Sequence, residues 1–125
     1  ELLRDETTKD CFAISSWNKR NESLQFPSQL DAPKLELLLL NSSKPLDLSH
    51  ASFEGVKGLK VVALIDDRVF YLTKVAIQSL QSIQRLSNLR TLRLQGWDLG
   101  DISFMVSLKK LEILDLKDST FKKVP

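Results

Sequence analysis

The 125-residue chain holds one cysteine, one histidine, four glycines and four prolines. With Cys11 alone no intramolecular disulfide can form, and a lone thiol favours a reducing compartment over a disulfide-stapled secreted domain. The sole histidine, His50, lies between Ser49 and Ala51, with no partners announced for a metal site or a catalytic triad. Gly55, Gly58, Gly96 and Gly100 are too scattered to cradle a phosphate and fit turns instead. No apolar run approaches the roughly 20 residues of a membrane helix. Charge of one sign is scarce as well. The 18 basic and 16 acidic residues leave a net charge of +2, and no strong preference for polyanions or membranes follows. Glu1-Leu2-Leu3-Arg4-Asp5 is not a signal peptide, and without an initiator Met the chain is expected to be cut from a longer one. The expectation is a non-enzymatic chain with no metal ligands.

Leucine is what the chain has in quantity. Leu86, Leu89, Leu92, Leu94, Leu99 and Ile102 form a spaced set that recurs 22 positions later as Leu108, Leu111, Leu114, Leu116, Phe121 and Val124. All of these are apolar in a chain that is 42% hydrophobic. The spacing L-x-x-L-x-x-L-x-L at a fixed period is the mark of a leucine-rich repeat. Each unit is a short strand plus a returning arc and cannot bury its leucines without neighbours on both sides. The predicted fold is an α/β repeat solenoid. It is a leucine-rich-repeat horseshoe with a short-stranded parallel sheet on the concave face and irregular or short helical arcs on the convex side.

Residues 1–10 are polar and read as a linker, with the repeat domain over 11–125. Aligning Ile14, Leu40, Leu64, Leu94 and Leu116 gives steps of 26, 24, 30 and 22 residues. About five irregular repeats follow, with strands near 12–14, 36–40, 60–64, 91–95 and 113–117. The longest arc follows Leu64. Apolar residues at Ile77, Leu80 and Ile83 predict a helical or 3₁₀ segment over 75–83, with an alternative extra strand over 68–71. Val124-Pro125 is expected to open another unit, which leaves an apolar end around Leu114, Leu116 and Phe121. The positions where such repeats carry Asn or Cys hold Trp17, Ser43, Asp67, Trp97 and Ser119. A continuous Asn ladder is excluded, and the arcs need other bonds for their backbone polar groups. Asn21-Glu22-Ser23 and Asn41-Ser42-Ser43 match the glycosylation pattern and are expected to be unmodified.

Alternation along each strand sends the residues between inward leucines to the opposite face. That face holds Cys11, Ala13, Ser15; Leu37, Leu39, Asn41; Val61, Ala63, Ile65; Thr91, Arg93, Gln95; and Ile113, Asp115, Lys117. The first three sets are nearly uncharged and the last two polar. Leu37, Leu39, Val61, Ala63, Ile65, Arg93, Gln95, Asp115 and Lys117 are the candidate protein interface, since a patch of large exposed apolar side chains marks a contact surface. Lys109, Lys110, Lys117, Lys122 and Lys123 also cluster late in the chain and are expected to form a solvated face.

The wording around the repeats is informative too. Leu80-Gln81-Ser82-Ile83-Gln84-Arg85-Leu86-Ser87-Asn88-Leu89-Arg90-Thr91-Leu92-Arg93-Leu94 resembles the LP-x-SI-x-x-L-x-x-LRTL-x-L run of plant intracellular nucleotide-binding leucine-rich-repeat disease-resistance receptors of the coiled-coil class. Ala32-Pro33-Lys34-Leu35 through Leu40 looks like their CPKL-x-x-LLL run, and Asp10-Cys11-Phe12-Ala13-Ile14-Ser15 like the start of their first repeat. Asp101-Ile102-Ser103-Phe104 to Leu116 is similar to DIS-x-L-x-x-L-x-x-LEIL-x-L. The likeness covers about residues 8–125. Gln81 replaces the family's proline, and the long arc after Leu64 is unusual. The resemblance implies the N-terminal part of the receptor's repeat domain, in the cytoplasm. Implied partners are the nucleotide-binding switch domain of the same parent protein and a pathogen effector or guarded host protein, with no nucleic acid. ADP or ATP belongs to the switch domain, and no cofactor is implied for this chain. A scaffold or adaptor, such as a ubiquitin-ligase substrate receptor, is the alternative. An upstream nucleotide-binding domain rather than an F-box would separate the two.

Overall fold

Parallel strands need long crossovers, and a chain that returns every 22–30 residues can place each new strand beside the last. The computed structural model describes residues 10–18, 24–25, 31–42, 46–48, 53–66 and 74–122. Its elements in order are β1 (Ala13–Asn18), β2 (Leu24–Gln25), β3 (Leu37–Ser42), β4 (Leu46–Asp47), β5 (Val61–Ile65), β6 (Val75–Gln78), β7 (Thr91–Gln95), β8 (Trp97–Asp98) and β9 (Ile113–Asp115). Short 3₁₀ helices lie at Glu54–Val56, Leu80–Arg85 and Ser103–Ser107. The longer strands form an open parallel sheet in the order β1-β3-β5-β7-β9, and the shorter ones a second sheet in the order β2-β4-β6-β8. Among the described residues this is an α/β arrangement of parallel strands and short helical turns, with no closed barrel.

One joint repeats at the start of every long strand. The Phe12 carbonyl accepts the N–H groups of Glu36 and Leu37 at 2.8 and 3.1 Å. Glu36 does the same for Lys60 and Val61, Lys60 for Arg90 and Thr91, and Arg90 for Glu112 and Ile113. Each carbonyl uses both lone pairs, so the strands enter the sheet in one register. The turn before each strand also repeats, with Leu59, Leu89 and Leu111 donating N–H to Val56, Leu86 and Leu108 at 3.1 Å. Register then stacks like on like: Leu38, Val62 and Leu92 pair in one row and Leu40, Leu64 and Leu94 in another. All six are buried, together with Leu35, Val56, Leu59, Leu86 and Leu89. The core is this stack of aliphatic rows, closed on the far side by Leu46, Ile77 and Trp97 of the second sheet.

The strand expected near 91–95 is Thr91–Gln95, and those near 36–40 and 60–64 start one residue later. Two departures have clear causes. β9 stops at Asp115 rather than 117, because the Asp115 carboxylate accepts the Lys117 N–H at 3.0 Å and Asp118 turns left-handed at φ 58°. The helical segment predicted over 75–83 is instead a strand followed by a 3₁₀ helix. Val75–Gln78 pairs with both Leu46–Asp47 and Trp97–Asp98, and Ser79 at φ 57° breaks the chain before Leu80–Arg85. The alternative strand over 68–71 lies outside the described residues, as does most of the predicted linker.

The irregular arcs find their bonds at two of the positions that cannot form an Asn ladder. Trp97 Nε1 donates to the Leu64 carbonyl at 2.9 Å, and Ser119 Oγ donates to the Leu94 carbonyl at 2.7 Å. Leu64 and Leu94 are paired residues, so an indole and a hydroxyl do the same task one strand apart. Ser119 Oγ also accepts the Trp97 N–H at 3.1 Å. Gly96 makes this possible. At φ +85° it passes so close to the end of β5 that a Cβ would lie 2.1 Å from the Asp66 carbonyl oxygen. Ser43 and Asp67 lie outside the described residues.

Leu92 is fully buried, whereas Leu114, expected to point into the core like Leu92, is 42% exposed. β9 is the last strand of its sheet, and no described strand covers its outer side. Leu92→Ala should therefore cost about 2–5 kcal/mol and Leu114→Ala about 1 kcal/mol or less in chemical denaturation. Equal losses would contradict this placement of the strands. Gly96→Ala, strained in both φ and contact, should cost at least about 1 kcal/mol, read as a fall in melting temperature. An unchanged melting temperature would mean that the close approach to Asp66 is absent in solution.

Candidate functional site

The residues between the inward leucines share the open face of the five-stranded sheet, in rows set by register. Ala13, Leu37, Val61, Thr91 and Ile113 form the row at the strands' starting ends. Ser15, Leu39, Ala63, Arg93 and Asp115 form the next. Asn41, Ile65 and Gln95 pair in a third. Neighbouring strands lie about 4.8 Å apart, so each row is a continuous line of side chains.

Exposure divides the candidates. Leu37 is exposed and Leu39, Val61 and Ile65 are half-buried, so the aliphatic patch over β3 and β5 is real surface. Ala63 is not part of it. It is buried, because its methyl sits in one row between the far larger Leu39 and Arg93. Asn41 is buried as well, which bars it as an acceptor for a bulky glycan in the folded chain. His50 and Asn21-Glu22-Ser23 lie outside the described residues.

The other half of the face is polar and self-paired. Arg93 Nε stands 3.3 Å from an Asp115 carboxylate oxygen, and Arg93 Nη2 donates to the Gln95 side-chain oxygen at 3.2 Å. Both ionic side chains are more than two-fifths exposed, so the pair contributes at most about 1 kcal/mol. Its effect is to tie the guanidinium between Gln95 on β7 and Asp115 on β9. Lys117 is exposed in the turn after β9 rather than in the strand. The face thus passes from aliphatic to charged along the strand order, which suits a partner with both kinds of surface.

Among the described residues no group of three or more His, Cys, Asp or Glu side chains is placed to hold a metal, and no helix is long and apolar enough to cross a membrane. Further signals lay on the row preceding the strands. Glu36 and Lys60, 3.7 Å apart, and Arg90 and Glu112, at 3.0 Å, pair across adjacent strands. The common offset of these residues from the strand leucines was available to find them.

If the aliphatic patch serves binding rather than folding, Leu39→Ser should change unfolding free energy by roughly 1 kcal/mol or less. Leu40→Ser, which buries an unpartnered hydroxyl in the leucine stack, should cost several times that. Urea titration of both variants compares them directly, and similar losses would make Leu39 a core residue. Neither protein-family models nor curated proteins match this chain, so its role must be argued from sequence pattern and sheet geometry.

Proposed function

We propose that the chain is the N-terminal part of a leucine-rich-repeat solenoid and works as a non-catalytic protein-recognition module of a plant intracellular immune receptor. The repeating joint at each strand start and the resemblance of the runs around Leu35–Leu40 and Leu80–Leu94 to those receptors both support this reading. The observation that carries it is the aliphatic patch of Leu37, Leu39, Val61 and Ile65 on the open sheet face. In the parent protein the patch restrains the preceding switch domain, and sensing of a pathogen effector or a guarded host protein releases it. ADP or ATP acts in the switch domain alone. The mechanism is a two-state equilibrium, and a ligand shifts it only by its difference in affinity for the two states.

Burying a large aliphatic side chain is worth roughly 1.5–3 kcal/mol, enough for one lost contact to move such a balance about tenfold or more. Leu39→Asp in the full receptor should therefore trigger cell death in leaf tissue without a pathogen if the patch restrains the switch domain. If the patch binds a downstream or foreign partner instead, the same change should silence the response. A variant that accumulates to the normal level and behaves as wild type in both conditions would overturn the interface.

A further inference from the structure

We infer that the edge where the long strands begin docks an acidic polypeptide segment that carries apolar side chains beside its carboxylates. This rests on the protein-recognition reading and specifies the chemistry of the partner. The turns before β5, β7 and β9 share one backbone geometry, so side chains at equivalent positions stack in columns about 4.8 Å apart. Among the described residues, the turns before β3, β5, β7 and β9 (31–36, 55–60, 85–90 and 107–112) hold Lys34, Lys57, Lys60, Arg85, Arg90, Lys109 and Lys110 against Asp31, Glu36 and Glu112. A net charge of +2 for the whole chain conceals this concentration. After β7 and β9 the chain carries Asp98 in β8 and Asp101, Lys117, Asp118 and Lys122 in the turns, a mixed set without this excess of cations.

Bonds between turns hold the columns in place. Asn88 Nδ2 donates to the Lys57 carbonyl at 3.1 Å, and Lys110 Nζ donates to the Asn88 side-chain oxygen at 3.0 Å. The column next to the sheet reads Glu36, Lys60, Arg90, Glu112, and the two cations are immediate neighbours through the Lys60 carbonyl to Arg90 N–H bond. Like charges side by side on adjacent strands oppose folding, whereas an alternating order would not. The flanking Glu36 and Glu112 pairs are about half exposed, so an incoming carboxylate can exchange with them. Directly beside this column runs the row Ala13, Leu37, Val61, Thr91 and Ile113, with Leu37 and Ile113 exposed. A segment laid across the strands meets the Lys60 and Arg90 pair and the turn lysines, flanked by Glu36 and Glu112, along one side and aliphatic groups along the other. Polyanions without apolar groups satisfy only half of this surface.

The test is fluorescence anisotropy with a labelled peptide of alternating glutamate and leucine. A glutamate–serine peptide and a single-stranded oligonucleotide measure the contribution of charge alone. Wild-type protein should bind the glutamate–leucine peptide about tenfold more tightly than either control. Lys60→Glu/Arg90→Glu and, separately, Lys109→Glu/Lys110→Glu should each lose about tenfold or more and gain binding to a lysine–leucine peptide. That gain cannot come from misfolding, and circular dichroism checks the fold. Equal binding of the three anionic probes, tighter binding of the oligonucleotide, or failure of both variants to switch would overturn the proposal. The leaf assay of Leu39→Asp is independent. A Leu39→Asp phenotype without peptide binding removes the acidic partner and keeps the recognition role. Peptide binding with a Leu39→Asp variant that behaves as wild type removes the aliphatic patch as an interface and keeps the basic edge.

Discussion

The backbone carbonyl just before each long strand is the joint on which the rest depends. By accepting two N–H groups from the next pass of chain, Phe12, Glu36, Lys60 and Arg90 fix the register of β3, β5, β7 and β9. Register in turn decides burial. A slip of one residue would send Leu38, Leu40, Val62, Leu64, Leu92 and Leu94 to the open face and bring Arg93 into the core. The same joint aligns the residues that precede the strands, and so creates the charged column and the apolar row beside it. Fold and candidate surface are consequences of one repeated pair of hydrogen bonds.

The second sheet adapts to irregular arcs where the first stays constant. Between Leu64 and Leu94 the chain spends 30 residues, against 22 in the next step, yet the strands remain in register. The eight extra residues fall between β5 and β6, where the chain takes nine residues (66–74) against the single Gly96 between β7 and β8, while the starts of β6 and β7 and those of β8 and β9 are both 16 residues apart. Trp97 and Ser119 then tie successive arcs to the Leu64 and Leu94 carbonyls. An indole and a hydroxyl 22 residues apart thus reach equivalent acceptors on adjacent strands.

Much of this was legible in the leucine spacing, because burial of one side chain per strand position leaves a period that composition cannot mimic. β6 was not. Ile77, Leu80 and Ile83 are all buried at helical spacing, but they come from a strand, a left-handed break and a 3₁₀ turn. Ser79 gives no warning, since it is neither Gly nor Asn. On the open face, alternation put Leu37, Leu39, Val61 and Ile65 on one side. The burial of Ala63 depends on the size of its cross-strand neighbours, which spacing does not encode. The need for bonds in the arcs could be foreseen, but not that Trp97 and Ser119 would supply them. Of the edge charges, Lys109 and Lys110 stand out in the sequence as part of the late lysine cluster; the others do not, because net charge averages over the chain, whereas the fold stacks residues that are 22–30 positions apart.

The parallel register is the claim on which every surface assignment stands, and nuclear Overhauser contacts between backbone protons test it most directly. The account predicts contacts linking Leu38 with Val62, Val62 with Leu92, and Leu92 with Leu114, in the pattern of parallel strands. Contacts shifted by one residue, or an antiparallel pattern between any two of these strands, would contradict it.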